Sequence, residues 1–288
     1  MARWPLALGL ALALTVGPSG WVSVSRAQMG HEGMPMGPSG PPAARLDLAT
    51  DPAPPQPRLP TTLTLTVRDA ASGAPLTDLQ PEHQRLLHLI VVSDDLALFS
   101  HVHPDSLGPG QFRIAYTFPS AGPYHLFADF VSAALGAQQA SASLEVAGPA
   151  PAPAPLAPEG TTCACNGAQV SLQVDPNPPR VGQPARLTFR LSQAGQPLDT
   201  LAPYLGVAGH LVAISQDLQE YLHAHPGDQP MEHGADHMAM PMASPTARFG
   251  PEVTFTVTFQ RAGPHKVWGQ FSLDGDVITA PFVVQVAG

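Results

Sequence analysis

Two short tracts of this chain place thioether sulfur beside imidazole. The first, Met29-Gly-His-Glu-Gly-Met-Pro-Met36, carries Met29, His31, Met34 and Met36. The second, Met231-Glu-His-Gly-Ala-Asp-His-Met-Ala-Met-Pro-Met242, carries Met231, His233, His237, Met238, Met240 and Met242. Such donors form a soft, flexible ligand set that suits Cu(I) and takes Cu(II) through the imidazoles. Methionine ordinarily fills gaps in cores, yet no strand-like segment here contains one. A compositionally biased tract that binds nothing is the bland reading. Recurrence of the same bias in two unconnected places favours the metal.

A second constellation is built from histidine alone. His88-Leu-Ile-Val-Val-Ser93 is followed by Asp94-Asp95 and then by Leu96-Ala-Leu-Phe-Ser-His-Val-His-Pro104. The same order returns as His210-Leu-Val-Ala-Ile-Ser215, Gln216-Asp217 and Leu218-Gln-Glu-Tyr-Leu-His-Ala-His-Pro226. A two-residue turn would pair Val92 with Ala97, Ile90 with Phe99, and His88 with His101. His88, His101 and His103 then share one sheet face, the opposed pair about 5 Å apart at Cβ. His210, His223 and His225 follow suit. Three converging imidazoles hold Cu(II) or Zn(II). Their face also carries Ile90, Val92 and Phe99, so it can instead pack inward, with the histidines bonded to backbone at strand ends. His83, His125 and His265 face Leu205, Lys266 and Tyr124 in the other copy, and read as surface or strand-end residues.

Cys163 and Cys165 are separated by one alanine. Three states stay open for them: soft-metal thiolates, an intermolecular disulfide, or a strained local bridge.

The elements that must position these groups come as an internal repeat. Leu48-Ala-Thr-Asp-Pro52 matches Leu172-Gln-Val-Asp-Pro176, and Gly73-Ala-Pro-Leu76 matches Gly195-Gln-Pro-Leu198. Phe118-Pro-Ser-Ala-Gly-Pro123 matches Phe259-Gln-Arg-Ala-Gly-Pro264, with Phe127 and Phe130 answering to Trp268 and Phe271. Leu63, Leu65 and Val67 alternate with threonine, as do Val253, Phe255 and Val257, which is the period of a half-buried strand. No segment sustains a helical period. The expected fold is all-β: two tandem immunoglobulin-like β-sandwich domains. Tyr124, after Ala-Gly-Pro, resembles the tyrosine corner of such sandwiches, and His265 stands there in the second copy.

The expected organisation is a signal peptide over residues 1–27, a Met/His arm over 28–43 and a first sandwich over 44–148. A Pro/Ala linker with the Cys pair covers 149–167, and a second sandwich covers 168–288 with a Met/His-rich loop at 227–250. The linker is expected to act as a polyproline-like spacer that holds the domains apart, at about 3.1 Å per residue. No other segment is apolar enough to span a bilayer, so a periplasmic or secreted protein is expected. The formal charge of −9 argues against nucleic acid and anionic lipid as partners. Neither a Ser-His-Asp spacing nor a phosphate loop nor a cupredoxin ligand set is present, so no enzyme is expected.

The motif His-Leu-Ile-Val-Val-Ser-Asp-Asp-Leu, followed by His-x-His-Pro and Phe-Pro-x-Ala-Gly-Pro-Tyr, resembles bacterial exported β-sandwich proteins of the YtkA-like group. The Met/His tracts resemble those of periplasmic copper-resistance proteins such as the CopC-like carriers. The resemblance implies a periplasmic or secreted protein that binds copper, as Cu(I) or Cu(II), or zinc. It would buffer the ion or hand it to a periplasmic or membrane metal-transport protein. The competing expectation is a non-metal module whose paired immunoglobulin-like domains bind a protein or cell-surface partner.

Overall fold

A computed structural model describes residues 42–156, 160–227 and 242–288. In the first repeat the strands are β1 (Ala44–Asp51), β2 (Pro60–Asp69), β3 (Leu79–Gln80), β4 (His88–Ser93), β5 (Phe99–Val102), β6 (Asp105–Gly108), β7 (Gln111–Thr117), β8 (Gly122–Ser132) and β9 (Gly136–Val146). In the second they are β10 (Thr162–Cys165), β11 (Ala168–Asp175), β12 (Pro184–Gln193), β13 (Gln196–Pro197), β14 (His210–Ser215), β15 (Tyr221–Ala224), β16 (Glu252–Thr258), β17 (Gly263–Leu273) and β18 (Asp276–Val286). The described residues contain no helix, and the all-β expectation holds.

Each repeat is a sandwich of two antiparallel sheets. In the first, β1-β2-β7-β6 faces a sheet in which β8 lies between β4 and β9, with β5 outside β4. In the second, β10-β11-β12 with β16 faces β15-β14-β17-β18. The alternation seen in the sequence has its expected cause: Leu63, Leu65 and Val67 of β2 are buried while Thr62 and Thr64 are only partly covered. Phe112, Phe118, Tyr124 and Phe130 fill the first core; Phe189, Phe255, Phe271 and Phe282 fill the second. The Tyr124 hydroxyl donates to the Ser120 carbonyl at 3.1 Å, completing the tyrosine corner. In the second domain His265, fully buried, instead meets the Glu220 carboxylate at 2.8 Å.

Strands β4 and β14 break the alternation, because all six residues of each are buried. Leu89 and Val91 face their own core, whereas Ile90 and Val92 pack on Val212, Ile214, Tyr221 and Trp268 of the other domain. The two sandwiches therefore meet face to face through their histidine hairpins. Phe99 stacks on Trp268 with ring centroids 4.5 Å apart, and the equivalent Tyr221 stacks on Phe127 at 4.6 Å. Equivalent residues exchange equivalent contacts, the pattern of a two-fold interface.

This corrects the spacer reading of the linker. Leu156 packs against the interdomain cluster and the Ala154 N–H donates to Asp95 Oδ2 at 3.0 Å, so the segment runs along the joined domains. The domains meet through the apolar cluster of Ile90, Val92, Val212, Ile214 and Trp268, so proline stiffness does not set the separation. The Cys pair also leaves the linker. It lies on β10, an edge strand of the second sandwich paired with β11, and Cys163 is disulfide-bonded to Cys165. Neither sulfur is then a thiolate, which removes the pair as metal ligands in this state.

Candidate metal centre

Imidazole orientation starts from the hairpin register. Leu89 pairs with Val102, Ile90 with His101 and Val92 with Phe99, two residues beyond the register expected from a two-residue turn. The reason is local. Asp95 Oδ1 accepts from Ser93 Oγ at 2.6 Å and from the Ala97 N–H at 3.1 Å, and Leu96 takes a left-handed φ of 57°, so the loop centres one residue later. The second hairpin repeats the device with Ser215, Asp217 and Leu218 (φ 59°), and pairs Val212 with His223. A slip of two preserves the face, so the predicted trios still converge.

His88 Nδ1 lies 3.1 Å from His101 Nε2, and His210 Nδ1 lies 3.2 Å from His223 Nε2. The ring of His103 sits 5.0 Å from that of His88 and 4.7 Å from that of His101. His225 sits 4.7 Å from His210 and 4.9 Å from His223. The trios also touch each other, with the His101 and His223 rings 5.0 Å apart. Two sets, His88–His101–His103 and His101–His210–His223, each offer ligand atoms that all lie within 4.8 Å of one another. The second set draws on both domains.

Hydrogen bonds on the far side of each ring decide where the lone pairs point. His88 Nε2 and His210 Nε2 each meet a backbone carbonyl, Glu82 and Tyr204 respectively, both at 3.1 Å. A carbonyl only accepts, so each Nε2 carries the proton. His101 Nδ1 donates to Gln270 Oε1 at 2.8 Å, the amide being oriented by its own Nε2–H to Thr279 Oγ1 at 3.2 Å. His223 Nδ1 donates to Asp129 Oδ2 at 2.9 Å. A neutral imidazole has one N–H, so the four nitrogens at 3.1 and 3.2 Å face each other as bare lone pairs. Two nitrogens bound to one ion at about 2.0–2.1 Å are about 2.9 Å apart across a right angle and about 3.3 Å apart across a tetrahedral one. The pairs are already spaced as edges of a coordination sphere.

Burial and neighbouring imidazoles keep His88, His101, His103, His210 and His223 uncharged. Burial above all, then His101, holds His88 down to about 2; burial likewise holds His101 to about 4 and His103 to about 3. His210 and His223 are pushed well below the ordinary histidine range by the same causes. Burial raises Asp129 to about 7, against the stabilising hydrogen bond donated by the Tyr221 hydroxyl. The ring nitrogens are thus available as neutral donors without being deprotonated first.

Five contributors escaped the sequence reading. His83, expected at the surface or at a strand end, sits on the turn before β4 with φ 44°, and its ring lies 3.9 Å from that of His225 and 5.8 Å from that of His210. Asp129 and Gln270 occupy equivalent positions opposite His88 and His210, and each orients a histidine of the other domain. The signal for both was present: one polar residue within the otherwise apolar Phe127–Phe130 and Trp268–Phe271 segments. Tyr221, whose hydroxyl donates to Asp129, and Gly209 complete the five. A Cβ on Gly209 would stand 2.8 Å from the Gln270 carbonyl oxygen, so only glycine lets the start of β14 run this close to β17. His125, by contrast, is the partly exposed residue expected, meeting Asp94 Oδ1 at 2.9 Å.

Of the tract residues only Met242 is described. It is 57% exposed and lies against Gly206, on the turn whose Tyr204 carbonyl orients His210. Met29, His31, Met34, Met36, Met231, His233, His237, Met238 and Met240 lie outside the described residues, as do the expected signal peptide and most of the arm. No helix among the described residues is long and apolar enough to cross a membrane.

Residues 44–147 and 162–288 match the family described as Domain of unknown function (DUF8832). No curated protein matches. Among solved structures the chain is similar to FdeC, an Escherichia coli adhesin, at 20% identity over 86% of this chain and 65% of that one, with a TM-score of 0.25. It is similar to a tetra-tandem repeat from the extending region of a large adhesion protein at 10% identity, over 86% of this chain and 50% of that one, TM-score 0.27. Red sea bream transglutaminase follows at 11% identity, 85% and 31% coverage and a TM-score of 0.23. The chain spans less than two thirds of the length of each, and likenesses at these TM-scores carry no argument about function.

Proposed function

The chain belongs to the DUF8832 family, and from its histidine cluster we propose that it binds a transition-metal ion of the Cu(II) or Zn(II) class between its two sandwich domains. The observation that carries this is the His101–His210–His223 set. Three neutral imidazoles from two domains bring ligand atoms within 4.8 Å of one another, with the outward N–H of each already engaged. Imidazole alone suits Cu(II) and Zn(II) better than Cu(I), which prefers sulfur. The Met/His tracts and their resemblance to copper-resistance proteins support copper as the ion, and the YtkA-like resemblance supports an exported protein that buffers or delivers it.

A second reading is an interaction module whose paired immunoglobulin-like domains bind a protein or cell-surface partner. It requires no ion at the cluster. Calorimetric titration of chelator-stripped full chain with Cu(II) and with Zn(II), beside His101→Ala, separates the two. Metal binding predicts at least a hundredfold weaker binding at one site in the variant. Identical isotherms would remove the metal reading from the cluster and leave the interaction module.

A further inference from the structure

Resting on the metal reading above, we infer that the cluster is a two-ion centre, one ion on each hairpin's trio. The domain 1 ion would take His88 Nδ1, His101 Nε2 and His103. The domain 2 ion would take His210 Nδ1, His223 Nε2 and His225.

The first argument is metrical. The short nitrogen pairs, 3.1 and 3.2 Å, are both within a hairpin rather than across the interface. Each is the edge of one coordination sphere. The third ring stands at 4.7–5.0 Å from its two companions in the first trio and at 4.7–4.9 Å in the second. The ring spacings of the two trios match, and in the first the ligand atoms of His88, His101 and His103 all lie within 4.8 Å of one another. Across the interface the rings of the short pairs are 5.0–6.1 Å apart, against 5.3 and 5.4 Å within each pair, which places two neighbouring ions side by side.

The second argument is one of satisfaction. One ion of this class takes about four ligands when tetrahedral, but six imidazoles of the two trios converge here, with His83 beside His225. A single ion on His101, His210 and His223 would leave the lone pair of His88 Nδ1 unused beside a coordinated His101. It would also leave His103 Nε2, buried with no hydrogen-bond partner, with nothing to bind. A polar atom so placed costs free energy unless something occupies it. Two ions use every one of these nitrogens.

The charges set the order of binding. Two cations a few ångströms apart repel in a poorly solvated space, and Asp129, a carboxylate, hydrogen-bonds His223 of the second-domain trio. The first ion should therefore bind the second-domain trio, and the second ion should bind at least tenfold more weakly.

The test is zinc and Cu(II) stoichiometry by native mass spectrometry on stripped full chain. It compares wild type with His88→Ala/His103→Ala, with His210→Ala/His225→Ala, and with all four replaced. Counting differences between variants removes ions held by the Met/His tracts. Two ions predict that each pair loses one ion and that the fourfold variant loses two. Cu(II)-loaded wild type should then give a spin-coupled paramagnetic resonance spectrum, replaced in each pair variant by an isolated mononuclear signal. Loss of a single ion in each pair and no more in the fourfold variant overturns the two-ion inference while leaving metal binding intact. Equal ion counts in all four proteins overturn both. Circular dichroism identifies any variant that has not folded, and His103→Asn with His225→Asn, at the two outer rings, then replaces it in the same count.

Discussion

The interdomain set of the cluster depends on the two sandwiches being packed together, and Phe99→Ala tests that contact directly. Phe99 belongs to the first domain and stacks on Trp268 of the second at 4.5 Å, with planes 16° apart. Trp268 is 3% exposed and is the only tryptophan among the described residues, since the others are Trp4 and Trp21. A fully buried Phe cut to Ala costs about 3–5 kcal/mol. Phe99 is partly exposed, so about half of that applies, and loss of the stack adds about 0.5–1.5 kcal/mol. The expected loss is about 2–4 kcal/mol, read by denaturant unfolding of metal-free protein lacking residues 1–27. In that protein Trp268 is the sole fluorescent indole. Its emission in the native state should shift to the red in the variant, because water reaches a face that Phe99 had covered. Were the domains held apart by the proline segment, Trp268 would already be wet and Phe99 would pack on nothing. Unchanged stability together with unchanged emission would refute the face-to-face arrangement, and with it every site built across it.

Metal-free protein should lose stability as pH falls below about 6.5. His88, His103 and His101 stay neutral in the fold down to about 2, 3 and 4, whereas in the unfolded chain they take up protons near 6.5. The unfolded state then binds more protons, so stability is full above 6.5 and each imidazole removes up to about 1.4 kcal/mol per pH unit below it; a flat profile from pH 7.5 to 5 contradicts the burial assigned to the cluster. Asp129→Ala should weaken metal binding by about tenfold to a hundredfold by freeing His223, with Asp129→Asn retaining part of the affinity through its amide oxygen; calorimetry on both decides. Tyr124→Phe should cost about 1 kcal/mol in the first domain, for one hydrogen bond to Ser120, and leave metal affinity unchanged. If affinity falls with it, the tyrosine corner and the cluster are coupled in a way the structure does not show.

The sequence by itself determined the all-β class, the two copies and the convergence of His88, His101 and His103 and of their counterparts. These follow from local rules: period-two alternation, matching turn residues, and side chains that keep their face when the register slips by two. It also held, unread, the sign that β4 and β14 are covered on both sides, since Leu-Ile-Val-Val and Leu-Val-Ala-Ile do not alternate. What covers them was decided only by the tertiary structure. A proline-rich segment looks the same whether its domains stand apart or together; the difference lies in the fit of Ile90, Val92 and Phe127 to Val212, Ile214 and Trp268. The same fit brought His83, Asp129 and Gln270 to histidines more than 90 residues away in the chain. No local spacing encodes that, because such partners are chosen by which surfaces close and not by neighbours along the backbone.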